Sequence, residues 1–228
     1  MEVRHQHQLQ ALAGTLIGVD VGKSVMVREV YAEVGTFLER EGFGKAGKEA
    51  WFKRKLSDQV VGVVGISDAR RGTEIAISVG VGLICPRVEQ LIADWCNVSS
   101  EGTLTTYGNV GYLRPERRWI DARLGNDGPA DLVAGQLIDQ CASIAIPFTL
   151  AHTDLRSVAE VLRQKVFPSM ESLDAERLAV IYALLDETQR AEEVVRRLPA
   201  WSTDDQLAVD VHDALYREGF LATFAHSG

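Results

Sequence analysis

The first residues whose spacing could do chemistry are Gly18 to Ser24, which read Gly-Val-Asp-Val-Gly-Lys-Ser after a short apolar run. Gly-Lys-Ser after a strand is the second half of the phosphate-binding loop of many ATPases and GTPases. That loop needs four residues between its first glycine and Gly-Lys-Ser, and only three separate Gly18 from Gly22. We therefore expect no nucleotide site here. Ser24 is instead predicted to cap a helix.

The histidines and cysteines form no recognisable metal or nucleophile pattern. His152, His212 and His226 lie far apart in the chain, and no HExxH motif or cysteine pair connects them. The three cysteines, at positions 85, 96 and 141, have apolar or small neighbours, which predicts buried thiols in a reducing cytoplasm. The chain also lacks the GxSxG motif of many hydrolases. We expect no metal and no cofactor, and the sequence favours a non-enzyme without deciding the matter.

One local patch combines cationic and aromatic side chains. Arg114, Arg117, Arg118 and Trp119 fall within six residues, and Trp51 on a predicted strand is a further candidate binding residue. Such a patch can bind a phosphate or a carboxylate, or anchor a protein partner. It can equally be an edge strand that its charges protect from aggregation. Both interpretations stay open from sequence.

The charge balance limits the classes of partner. The chain has 228 residues and a formal net charge of −8, which argues against non-specific binding to nucleic acid or to an anionic membrane. The same charge is compatible with a basic protein partner. No run approaches the ~20 apolar residues of a membrane span, and no secretory pattern is convincing, so we expect a cytoplasmic protein.

The periodicity of the apolar residues predicts an α+β fold. A helix is predicted from Ser24 to Glu41 because Val27, Val30 and Val34 recur at helical spacing. Strands follow, joined by turns too short for parallel crossovers, so the sheet of four to five strands should be antiparallel. Helices should lie on one face of the sheet. The predicted strands cover 50–54, 59–66, 73–84 and 104–113, with a further extended stretch at 117–121; the predicted helices of the last third cover 129–144, 154–167, 175–185, 189–198 and 203–217.

Three regions are predicted along the chain. Residues 1–25 open with alternating His and Gln and then give only a short apolar run, so they are expected to be an N-terminal extension that is disordered or not native. Residues 26–167 should form the α+β domain. Residues 168–228 should form a C-terminal helical extension, in which one helical hairpin resembles a single tetratricopeptide-type repeat.

Residues 37 to 84 carry a pattern that resembles a known family. The helix end Phe37-Leu38, then Gly42-Phe43, a basic glycine-rich turn and the strand Trp51-Phe52-Lys53-Arg54 are similar to a bacterial family known as domain of unknown function 4304. Ser78-Val79-Gly80 stands where that family has an Asn-Leu-Gly-like motif. The resemblance covers about residues 27–165. It implies an α+β fold and no catalytic residues.

These observations lead to two main expectations about function, beside a third, a helical adaptor that binds through the C-terminal hairpin. The first is a non-enzymatic, protein-binding protein that resembles the immunity proteins, which bind and neutralise a toxin; its acidic surface would cover a basic partner. The alternative is a small-ligand-binding protein or an enzyme, with a pocket between the sheet and the C-terminal helices that uses the patch from Arg114 to Trp119.

Overall fold

A computed structural model describes residues 25–47, 50–71, 74–97, 99–124, 129–168, 171–197 and 206–221. The predicted N-terminal extension, the Gly18–Ser24 segment and the Ser24 cap therefore lie outside the described residues, apart from Val25. Within them the predicted α+β class is confirmed: an antiparallel sheet is combined with helices, and the C-terminal part is helical.

All pairings in the sheet are antiparallel. The first four strands pair in chain order, and two short strands share the outer edge of the fourth. The strands are β1 (Gly44–Ala46), β2 (Trp51–Lys55), β3 (Val61–Arg71), β4 (Glu74–Ile84), β5 (Thr106–Asn109) and β6 (Ala122–Leu124). Residues 80–83 of β4 pair with β5 and residues 75–77 pair with β6. The chain between them, residues 110–121, is therefore a loop that leaves the edge of the sheet and returns to it.

The helices follow the predicted order with one addition. They are α1 (Val25–Arg40), α2 (Pro86–Cys96), α3 (Ala130–Gln140), α4 (Ile146–Ala151), α5 (Leu155–Arg163), α6 (Glu171–Leu184), α7 (Thr188–Arg197) and α8 (Gln206–Arg217). The addition is α2, which is not among the predicted elements. The strand predicted at 73–84 stops just short of Pro86, which occupies the first turn of this helix, where a proline costs no hydrogen bond.

One face of the sheet is covered by helices, as predicted. In α1 the side chains of Val27, Val30, Val34 and Leu38 are buried against it. Alternate residues of β3 and β4 contribute the sheet side of this core, because side chains in a strand point to opposite faces in turn. Next to α1 lies α3, which packs on β4 and β6.

The predicted helix at 129–144 continues to Ala151 through a π-helical turn at Cys141–Ala145. The amide of Ile146 donates to the carbonyl of Cys141, five residues back. Pro147 follows directly and has no amide hydrogen to donate. In this wider turn the hydrogen bonds reach five residues back instead of four, which accommodates the proline. The helix therefore continues rather than ending.

By length and composition, one helix among the described residues, Ala130–Ala151, could cross a membrane. Its apolar stripe has another explanation in this fold. Val133, Ala134, Leu137 and Cys141 are buried in the core against the sheet.

The C-terminal helices build a second core at one end of the sheet. Val60, Leu83 and Cys85 from the strand ends pack there with apolar side chains of α2, α5, α6, α7 and α8. The predicted hairpin of α6 and α7 is present, and its two helices pack closely against each other.

The strand predicted at 59–66 is longer than expected, since β3 continues to Arg71 through residue types that favour turns. Its polar side chains have partners in the folded chain. The hydroxyls of Ser67 and Ser78 lie 3.0 Å apart across the two strands, and Tyr31 of α1 donates to Asp68 over 2.5 Å. Residues that favour turns by themselves can thus be held in a strand by cross-strand and helix contacts.

Candidate functional site

Arg117 secures the loop at residues 110–121 to the end of α5. Its Nη2 donates to the carbonyl oxygens of Lys165 and Val166, at 2.7 and 3.0 Å. Both carbonyls belong to the turn that follows α5, whose last residue is Arg163, and the planar guanidinium can donate to two of them at once. This predicted binding residue therefore has a structural task.

The base of the same loop is held by Asn109. Its Oδ1 accepts from the amides of Gly111 and Ile120, both at 2.9 Å, and its Nδ2 donates to the carbonyl of Ile120. A β-carbon on Gly111 would lie only 2.0 Å from the carbonyl oxygen of Arg118, so only glycine allows this close approach. The loop is thus fixed at its base and, through Arg117, at its tip.

The other predicted residues of this loop face solvent. Trp119 is 52% exposed, and Arg114 and Arg118 are exposed as well. Neither arginine forms an ion pair with the part of the chain that the structure describes. The loop therefore presents an indole and two guanidinium groups that are not used in holding the fold together.

Trp51 belongs to a different surface. Its strand neighbour Phe52 is buried under the helices, so Trp51 points to the opposite face of the sheet. There its ring contacts that of Tyr107, with centroids 4.9 Å apart. The hydroxyl of Tyr107 lies over Gly80, where a β-carbon would be 1.8 Å from it. The structure does not bring Trp51 into contact with Trp119.

Tyr107 was missed in the sequence analysis. The only signal for it was the spacing of Gly65, Gly80 and Gly82, which leaves room for a large ring above the strands. Burial raises the pKa of Tyr107 above its ordinary value, so its phenol stays protonated even at an alkaline pH where an exposed tyrosine ionises.

The solvent-facing sides of α1 and α3 form a surface that we call the acidic helix layer. Its carboxylates are exposed and form no ion pair with the described residues. They are Glu29, Glu33, Glu39, Asp131 and Asp139. The exposed arginines on the same surface are Arg28 and Arg40. The layer is therefore locally acidic.

Elsewhere most described carboxylates are engaged. Glu187 lies between Arg156 at 2.6 Å and Arg190 at 2.7 Å, and Glu160 binds Arg163. The pKa of Glu160 is lowered to about 2, chiefly by its hydrogen bond from Arg163. The contrast distinguishes the acidic helix layer from the rest of the surface.

A network of buried polar groups lies beside the second core. Glu89 of α2 accepts two hydrogen bonds from Arg177 of α6 and one from the hydroxyl of Thr105. The same Thr105 hydroxyl accepts from the amide of Cys85. These bonds satisfy a carboxylate that is almost fully buried, which is a structural role.

Cys85, Cys141 and His152 are also structural, whereas Cys96, which was predicted to be buried, is only half-buried. Desolvation raises the pKa of the thiols of Cys85 and Cys141 to about 12, so neither is a thiolate nucleophile at neutral pH. The Nδ1 of His152 lies 2.6 Å from the carbonyl oxygen of Phe148. Among the residues that the structure describes, no three His, Cys, Asp or Glu side chains are grouped as metal ligands would be.

A groove of about 440 Å³ lies between α5, α6 and α7. Its charged walls, which include Arg156, Glu160 and Arg190, are already paired with one another or with neighbours. Arg114, Arg117, Arg118 and Trp119 are not among its lining residues. The predicted patch and this groove are therefore separate features.

Comparison with known proteins gives no family to place beside this geometry. No family model, no curated protein and no solved structure matches the chain.

Proposed function

We propose that this protein is a non-enzymatic, protein-binding protein of the cytoplasm that works as an immunity protein does, by covering a basic toxin. The observation that supports this is the acidic helix layer, whose five carboxylates have no cationic partner among the described residues. The proposed similarity to domain of unknown function 4304 is compatible with it and adds no catalytic residue.

Unpaired surface carboxylates favour fast and selective association with a cationic partner. Charges that are not neutralised within the fold contribute their full field, which can raise association rates by factors of about 10 to 1,000 at low salt. Glu29 and Glu33 lie one turn apart on α1, so they present two charges to the same partner surface. A partner with lysines or arginines at matching spacing would form charge-assisted hydrogen bonds there.

The experiment is a protection assay in the cells from which the gene comes. A toxin gene next to this gene would be expressed with the wild-type protein, with Glu29→Lys/Glu33→Lys, or alone. We expect survival with the wild type and killing with the variant, at equal protein levels. If the neighbouring toxin kills equally with and without the wild-type protein, and pull-downs from its own cells recover no partner, the proposal is wrong.

The alternative of a ligand pocket has no specific observation in its favour. It required Arg117 or Arg118 to converge on a pocket between the sheet and the C-terminal helices. Arg117 instead binds two backbone carbonyls, and Arg118 is exposed.

A further inference from the structure

The loop at residues 110–121 exposes side chains that are suited to binding and that do not stabilise the fold. Trp119 is one of the few large apolar side chains that are exposed among the described residues, and Arg114 and Arg118 of the same loop are exposed as well. Tryptophan and arginine are the residue types that most often dominate binding energy at protein interfaces. Because Asn109 and Arg117 already hold the loop, little conformational entropy would be lost when it binds.

A surface of opposite charge lies beside this loop on the same molecule. Its first turn, Val110–Leu113, contacts the π-helical turn that follows α3, and it ends in β6, which packs on α3 itself. On the solvent side α3 exposes Asp131 and Asp139, and Leu132, which is 58% exposed, lies next to Asp131. A loop that exposes Trp119 and two arginines against the single exposed carboxylate of Glu116 thus runs alongside an acidic helix that carries an exposed leucine.

Two neighbouring patches of opposite charge are self-complementary under a two-fold axis. In such an interface each copy contributes the same surface, so the loop of one copy meets the helix of the other, and the reverse contact forms at the same time. No other occupant is as well specified by the described surface. The matching apolar side chains, Trp119 and Leu132, would supply the desolvated centre that charges alone do not provide.

We propose that the chain forms a two-fold homodimer through these patches. Trp119 of each copy packs on Leu132 of the other, and Arg114 and Arg118 pair with Asp131 and Asp139 across the axis. The dimer should be weak, because two chains with net charges of −8 repel each other outside the contact. This inference goes beyond the proposed function and does not depend on any toxin partner. Since it uses the α3 side of the acidic helix layer, a basic partner would compete with the second copy.

The test is sedimentation equilibrium of the full chain between about 1 µM and about 1 mM, a range that brackets weak interfaces. We expect the average mass to rise from that of the monomer toward twice that value. Trp119→Ala and Arg114→Glu/Arg118→Glu should each shift the dissociation constant upward by at least about tenfold. Arg87→Glu, an exposed arginine on α2 away from both patches, should raise it much less than tenfold, through the more negative net charge alone.

A charge exchange makes the test specific. The loop variant Arg114→Glu/Arg118→Glu and the helix variant Asp131→Arg/Asp139→Arg should each stay monomeric alone. Mixed together they should form a heterodimer, because both contacts are then attractive again. A wild-type chain that remains monomeric over the whole range overturns the proposal. So does a dimer that Trp119→Ala does not weaken, or a mixture that fails to associate while both variants keep the wild-type circular dichroism spectrum.

Discussion

Arg177 and Glu89 form a bidentate ion pair across the junction of the sheet domain and the C-terminal helices. The Nε of Arg177 lies 3.0 Å from Oε1 of Glu89, and its Nη2 lies 3.1 Å from Oε2. Both side chains are largely buried, with 13% and 5% exposure. The pair sits beside the second hydrophobic core, so it fixes how α6 lies against α2.

Removing Arg177 should therefore destabilise the whole chain. Arg177→Ala leaves the Glu89 carboxylate buried without its cation, which typically costs about 3–5 kcal/mol in the free energy of unfolding. Arg156→Ala breaks an ion pair whose arginine is 66% exposed, and it should cost less than about 1 kcal/mol. Urea denaturation measures both. Equal losses for the two variants would show that the pair does not hold the junction.

The ring of Tyr107 makes Gly80 irreplaceable. A β-carbon at Gly80 would meet the Tyr107 hydroxyl at 1.8 Å, so Gly80→Ala should destabilise by about 1–3 kcal/mol. A β-carbon on Gly135 of α3 would meet no atom within 4 Å, and Gly135→Ala should stabilise the fold by about 0.5–1 kcal/mol. Thermal unfolding compares them. Tyr107→Ala should relieve the Gly80→Ala clash, and an additive double variant would disprove the overlap.

Substitutions of Asn109 can separate the acceptor role of its side chain, in anchoring the loop, from the donor role. Asn109→Asp keeps an oxygen for the amides of Gly111 and Ile120 but replaces the donor to the Ile120 carbonyl with a second acceptor. Asn109→Ala loses all three bonds and should cost about 2–4 kcal/mol, since it leaves buried backbone groups without partners. We expect Asn109→Asp to fall between the wild type and Asn109→Ala in chemical denaturation. An Asn109→Ala variant as stable as the wild type would contradict the anchoring role.

Alkaline pH should weaken the fold. The pKa of Cys141 is raised from 9.0 to about 12 by burial, so above pH 9 the unfolded chain releases this proton while the folded chain retains it. The stability is thus complete below pH 9 and falls as pH rises toward 12, by up to about 1.4 kcal/mol per pH unit and per group. Cys85 and Tyr107 contribute in the same direction. Cys141→Ala should make the slope between pH 9 and 11 shallower; an unchanged slope would mean that this thiol is not protected.

Local patterns predicted the elements best. The helix expected over Ser24–Glu41 is observed as Val25–Arg40, because its apolar stripe is encoded within a few turns. The helix Pro86–Cys96, which was not predicted, has a similar apolar stripe in Val88, Leu91 and Ile92. The proline at its start hid this signal.

Long-range relationships could not be read from the sequence. Glu89 and Arg177 are separated by 88 positions in the chain, and no local pattern connects them. The two short strands β5 and β6 share one edge of β4 only because the loop between them returns to it. The patch from Arg114 to Trp119 was visible in the sequence. The sequence could not show that Arg117 binds two carbonyls after the end of α5 while the other two arginines stay exposed.

The proposed function is tested most directly by a comparison of baits. The wild type, Glu29→Lys/Glu33→Lys and Asp94→Lys/Glu101→Lys would each be immobilised and exposed to lysate from the source cells, with bound proteins identified and quantified by mass spectrometry. The two variants carry the same net charge, and only the first alters the acidic helix layer. We predict one basic protein that the wild type and the second variant retain and the first variant loses at least tenfold, with a direct binding constant that follows the same order. Recovery of no basic protein, or equal recovery by all three baits, would contradict the account.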